Sequence, residues 1–155
     1  MVDLGTLGGS TSESKDINNN DVVVGVAATA TVQQHAFISQ SGTMTDINPP
    51  SFSSSIATSV NDSSQVVGYG QSGTLQTAFF WSSSTGFVTI AFGGQCRANA
   101  INNNGIVTGV CDSGVFVWDS STQSINNLGW FGGGVNSAEA FGINSQGQIV
   151  GQVRD

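Results

Sequence analysis

One short pattern recurs four times along the chain and constrains every later step. An apolar residue followed by Asn, with Gly eight positions after the apolar residue, occurs at Ile17-Asn18 to Gly25, Val60-Asn61 to Gly68, Ile101-Asn102 to Gly109 and Ile143-Asn144 to Gly151. The four asparagines are 43, 41 and 42 residues apart. A period of this length means that small units, each unable to bury its apolar face alone, stack on their neighbours. The 155 residues hold one repeat domain of about four units, roughly 1–42, 43–86, 87–123 and 124–155, the last incomplete.

Two further blocks accompany the first. A small residue, Phe, any residue and an aromatic or its substitute appear at Ala36-Phe37-Ile38-Ser39, Ala78-Phe79-Phe80-Trp81 and Val115-Phe116-Val117-Trp118. A polar residue followed by Leu or Ile appears at Asp3-Leu4, Asp46-Ile47, Thr89-Ile90 and Asn127-Leu128. Each block reads as a short strand, because β-branched and aromatic residues lie between clusters of Gly, Asn, Asp and Ser. Asn19-Asn20-Asp21 and Asn103-Asn104-Gly105 tolerate the positive φ of tight turns and predict hairpins, as does Ser41-Gly42. Four strands per unit follow.

Successive side chains of a strand point to opposite sides, yet Ala78/Phe80 and Phe79/Trp81 are apolar on both. Both faces of these small sheets must therefore be covered. The expected fold is all-β, a repeat of about four four-stranded antiparallel units resembling β-propeller blades, with a β-solenoid as the alternative.

Composition narrows the function. Three basic residues face ten acidic ones, giving a net charge of −7, and phosphate binding needs clustered Lys and Arg that this chain lacks, so nucleic acid is excluded as a partner. No apolar run approaches the length of a membrane-spanning helix. Nothing near Met1 resembles a signal peptide. Because the chain opens at Val2-Asp3-Leu4, in mid-unit, the expectation is that any targeting segment lies upstream and that Met1 is a start residue.

The units also resemble a known family. Met44-Thr45-Asp46-Ile47, Asp3-Leu4-Gly5-Thr6-Leu7-Gly8-Gly9, Ile17-Asn18, Val66-Val67-Gly68 and the tripeptide His35-Ala36-Phe37 are similar to the HAF-repeat family of bacterial extracellular proteins, over essentially the whole chain. That resemblance implies export and a repeat architecture, and it supplies no catalytic residues.

Candidate chemistry is sparse. His35 is the only histidine, and Thr77 and Gly114 take its place in the other units, so no repeated ligand set exists. Asp16-x-Asn18-x-Asn20-Asp21 resembles the start of a calcium loop, but no downstream bidentate Glu completes it, and a plain Asn-rich turn is favoured. Asp3 and Asp46 give way to Thr89 and Asn127, which suggests strand-end hydrogen bonds rather than a glycosidase pair. No catalytic, cofactor-binding or metal-ligating residue is expected, and no cofactor. Cys96 and Cys111 flank the hairpin around Asn103-Asn104 and would be cross-strand neighbours; a disulfide is expected, with two buried thiols as the alternative. Trp81 and Trp118 read as core. Trp130 replaces Thr6 in a loop and, with Phe131, is the candidate contact for a ligand or partner.

Four polar-Leu strands, four Ile-Asn strands and four strands ending in the repeat Gly are matched by three Phe-containing strands. If the sheets close as a ring, Val2 to Leu4 joins the strands at Ile143 and Ile149 in a last, gapped unit. Either the array is part of a longer one, or a strand from a neighbouring molecule completes the sheet. The functional expectation is a non-enzymatic, extracellular structural or interaction module, at the cell surface or in a matrix, that forms homo-oligomers by strand or edge complementation, a filament among the outcomes. A glycan-binding, lectin-like propeller is the alternative.

Overall fold

A computed structural model describes residues 2–130 and 137–154. Among the described residues there are fourteen strands and no helix, hence no helix long and apolar enough to cross a membrane. Strands β1 (Gly8–Ile17), β2 (Val23–Thr29), β3 (Gln34–Gln40) and β4 (Thr43–Asp46) form the first sheet. β5 (Ser54–Val60), β6 (Val66–Ser72), β7 (Leu75–Ser82) and β8 (Gly86–Ile90) form the second, and β9 (Cys96–Ile101), β10 (Ile106–Cys111), β11 (Gly114–Asp119) and β12 (Ser124–Gly129) the third. β13 (Ser137–Ile143) and β14 (Ile149–Arg154) form the fourth. Every sheet is an antiparallel meander, with neighbours in sequence paired in space.

The turns explain why the recurrence yields hairpins. Asp21, Ser64, Gly105 and Gly147 each lie three residues after a repeat Asn and have φ of 58°, 56°, 75° and 79°. Ser41 and Gly42 likewise turn the β3–β4 hairpin with φ of 51° and 79°.

The sheets stack in chain order, each packing on the next. Between the first and second lie Val22, Val24, Ala36, Ile38, Ile47, Ala57, Val60, Val66 and Phe79. Between the second and third lie Val67, Phe80, Ala98, Ile101, Val107, Phe116 and Trp118. Neighbouring Phe79 and Phe80 thus enter different cores and are 0% and 2% exposed, as strand alternation requires of a sheet covered on both faces. A smaller cluster of Val115, Ala138 and Ala140 joins the third and fourth sheets.

The first strands β1, β5, β9 and β13 pack against one another in succession. Each carries a bulge, with Lys15, Thr58, Asn99 or Phe141 as the unpaired extra residue. Each bulge lies opposite the repeat Gly: Gly25, Gly68, Gly109 and Gly151 pair beside it. A Cβ at Gly68 would fall on the Ile56 carbonyl oxygen and 2.9 Å from Phe79 Cζ; one at Gly109 would meet the Arg97 carbonyl and Phe116 in the same way. The invariant spacing from Asn to Gly therefore records a close backbone approach.

Two sequence expectations change. Val2 to Leu4 forms no strand: the N-terminal segment makes one isolated parallel bridge, Leu7 to Thr29, and lies along the first sheet instead of crossing to the last. Its run Gly5-Thr6-Leu7-Gly8-Gly9, with φ of 77° at Gly5 and 98° at Gly8, bends the chain where a strand would have to continue. The fourth sheet accordingly pairs only β13 with β14 among the described residues, and no ring closure through the N-terminus forms. The sheets begin about one strand later than the units read from the sequence, because a repeat has no intrinsic starting point.

Gly68→Ala is expected to destabilise the fold by about 3 kcal/mol through this backbone clash, read as a lowered midpoint in chemical denaturation; an unchanged midpoint would mean that the bulge relaxes freely.

Candidate functional site

The stacked turns after β1, β5, β9 and β13 form a polar seam built from the repeat asparagines. In each turn the Asn side-chain oxygen accepts two backbone amides. Asn18 Oδ1 takes those of Asn20 and Val22, both at 2.9 Å, and Asn102 Oδ1 takes those of Asn104 and Ile106, both at 3.0 Å. Asn61 and Asn144 repeat the arrangement. The carboxamide nitrogen is then left pointing along the stack. Asn18 Nδ2 donates to the Asn61 carbonyl at 2.8 Å, Asn61 Nδ2 to the Asn102 carbonyl at 3.0 Å, and Asn102 Nδ2 to the Asn144 carbonyl at 2.9 Å. One residue type closes its own hairpin and docks the hairpin on the next sheet.

Parallel rows reinforce it. Asp62 accepts the backbone and side-chain N–H of Asn19 on one side and the side-chain N–H of Asn103 on the other. These bonds, the Asn19 side chain first, then its backbone N–H and then the Asn103 side chain, hold the Asp62 carboxyl below its usual range, against a small desolvation that raises it. Asp16 Oδ2 accepts Ser59 Oγ and the Val60 amide, both at 2.9 Å. The bulged residues add donors: Thr58 Oγ1 reaches the Ala98 carbonyl at 2.8 Å and Asn99 Nδ2 the Ala140 carbonyl at 2.7 Å.

Exposure of equivalent positions changes at the ends of the stack. Val24, Val67 and Thr108 precede the repeat Gly and are fully buried, whereas Val150 at the same position is 67% exposed. Val60 and Ile101 are buried, but Ile17 is 60% exposed. Phe141, in the place of the donors Thr58 and Asn99, is 52% exposed.

The calcium-like stretch Asp16 to Asp21 is thus part of this inter-sheet network, and among the described residues no group of three or more His, Cys, Asp or Glu comes together as a metal site. His35 Nδ1 lies 2.7 Å from Asp46 Oδ2, across the β3–β4 hairpin. Asp3, Asp46 and Asn127 each accept the backbone N–H two residues on, from Gly5, Asn48 and Gly129. Cys96 and Cys111 are directly paired across β9 and β10 and joined by a disulfide. Closing a loop of this length contributes about 3 kcal/mol. Trp118 is buried beside Phe80, and Trp81 packs on Phe87.

Trp130 is half-buried against Val115, Ala138 and Ala140, and it lines a groove of about 460 Å³ between the third and fourth sheets. Asp112, Glu139, Arg97, Gln76 and Gln95 line the same groove, with Arg97 Nη2 3.0 Å from Glu139 Oε1. Phe131 lies outside the described residues. The sequence reading missed the seam, although its signal was present as the Asn that follows an apolar residue at the first turn of each sheet. No family model, curated protein or solved structure matches the chain.

Asn102→Ala removes the one acceptor of two turn-closing hydrogen bonds and one inter-sheet donor at once, so a loss of about 3 kcal/mol is expected, measured by denaturant unfolding. A change under about 0.5 kcal/mol would mean that the seam contributes nothing.

Proposed function

We propose that the protein is a non-enzymatic, extracellular structural or interaction module of the HAF-repeat kind, whose blade-like sheets form an open propeller-like arc and which assembles with copies of itself. The observation that carries this reading is the reversal of exposure at equivalent positions. Val150 is 67% exposed where Val67 and Thr108 are 0%. An apolar surface built to the pattern of an internal interface is an interface in waiting. The edge of β14, which among the described residues pairs only with β13, adds unpaired backbone groups to the same end. The disulfide fits an oxidising compartment. Homotypic contact of this sort is heterologous, and filaments are among its products.

Sedimentation velocity tests it: the mass is expected to rise with concentration, and Phe141→Ser with Val150→Ser to weaken association about tenfold or more. A monomer mass independent of concentration contradicts the reading.

The groove beside Trp130 favours a second reading, recognition of a glycan. An aromatic face beside carboxylates, amides and a guanidinium matches a sugar ring, apolar on its C–H face and rimmed by hydroxyls. Glycan-array binding lost in Trp130→Ala supports this reading, and an array without any signal removes it.

A further inference from the structure

We infer that two copies meet end to end, the β13–β14 face of one against the β1–β2 face of the other, in the register that joins consecutive sheets within the chain. This specifies the self-association proposed above and rests on it.

The seam has a direction. Among the repeat asparagines, each inter-sheet carboxamide nitrogen belongs to the earlier sheet and each accepting carbonyl to the later one, from Asn18 to Asn61 to Asn102 to Asn144. The fourth sheet is therefore the donor end and the first sheet the acceptor end. The carbonyls of Asn61, Asn102 and Asn144 each accept a turn amide and, in addition, a carboxamide from the preceding sheet. The Asn18 carbonyl accepts only the turn amide of Asp21 among the described residues, leaving its second lone pair available. Asn144 Nδ2 donates to the exposed Gln148 side chain, and in the equivalent Asn61 such a bond coexists with the inter-sheet one.

The apolar surfaces match in the same register. Val67 shares a core with Ile101 and Val107 of the next sheet, so Val150, its equivalent, would rest on Ile17 and Val23 of a second copy. Thr58 and Asn99 reach the carbonyls of Ala98 and Ala140; the corresponding target of Phe141 is Ser14. Ser14, Ile17 and Val23 line one groove of about 360 Å³, walled also by Val2 and Leu4. Where the inner sheets place a donor against an acceptor, the ends place an aromatic ring against an apolar groove. A copy meeting its own face would set donor against donor, so the contact is head to tail.

Two chains with single changes, Asn19→Cys and Ser145→Cys, test the register. Position 145 would lie beside position 19 of the next copy, as Asn103 lies beside Asp62, and the native cysteines are already bridged. A short bis-maleimide is expected to give a dimer when the two chains are mixed and none with either alone. Asn144→Asp, which keeps the turn-closing oxygen and removes the donor, is expected to weaken association by about tenfold to a hundredfold. If the unaltered protein associates but the mixture gives no dimer and Asn144→Asp associates normally, the end faces have another occupant and this inference alone fails. Dimers from one cysteine chain by itself would overturn the head-to-tail polarity. An unaltered protein that stays monomeric at all concentrations removes the self-association reading and this inference with it.

Discussion

The stack depends on one polar side chain placed where a hairpin turns. A carboxamide offers an acceptor and a two-proton donor at fixed separation, and the repeat Asn uses the acceptor locally and the donor at long range. Asn61 and Asn102 are 3% and 6% exposed, so each group would be costly to leave unpaired. Their satisfaction requires the next turn to lie at one height and one angle. Apolar faces alone would hold the sheets together loosely in register; the seam fixes the offset between them.

Other features follow from that offset. For turn to meet turn, the first strands must run side by side, and each accommodates its bulge over a glycine, so Asn and Gly recur at constant separation. The bulge turns Thr58 and Asn99 toward the next sheet, supplying a second row of hydrogen bonds parallel to the first. The scarcity of charge is consistent with this economy. A buried seam of neutral amides avoids the desolvation that ion pairs would incur between closely packed sheets. Asp62, at the exposed rim, is one of the few carboxylates the network takes in, and its Asn N–H partners hold its carboxyl below the usual range.

Much of this architecture was legible in the residues. Ala78-Phe79-Phe80-Trp81 announced a strand covered on both faces, and Cys96 and Cys111 announced a cross-strand pair, because both depend on local geometry. Asn18 was legible only as a turn residue. Its second role arises from the stacking of sheets more than 40 residues apart, which periodicity implies but does not orient. Asp16 was legible only as part of an Asn-rich turn with a likeness to a calcium loop for the same reason, since its partners Ser59 and Val60 come from another sheet. The Val2 to Leu4 strand was misread because its side-chain pattern matched the other units while its backbone, bent at Gly5 and Gly8, did not. Trp130 was found as a loop aromatic, but the carboxylates and amides around it come from separate strands and had no common signature in the sequence.

Solvent exchange of the asparagine side-chain amides, followed by NMR in dilute solution, tests the account most directly. The carboxamides of Asn18, Asn61 and Asn102 are expected to exchange slowly and to resonate away from the free-amide position, while that of Asn144 exchanges fast. Four carboxamides exchanging alike, at the rate of an exposed asparagine, would contradict the claim that these groups hold one sheet to the next.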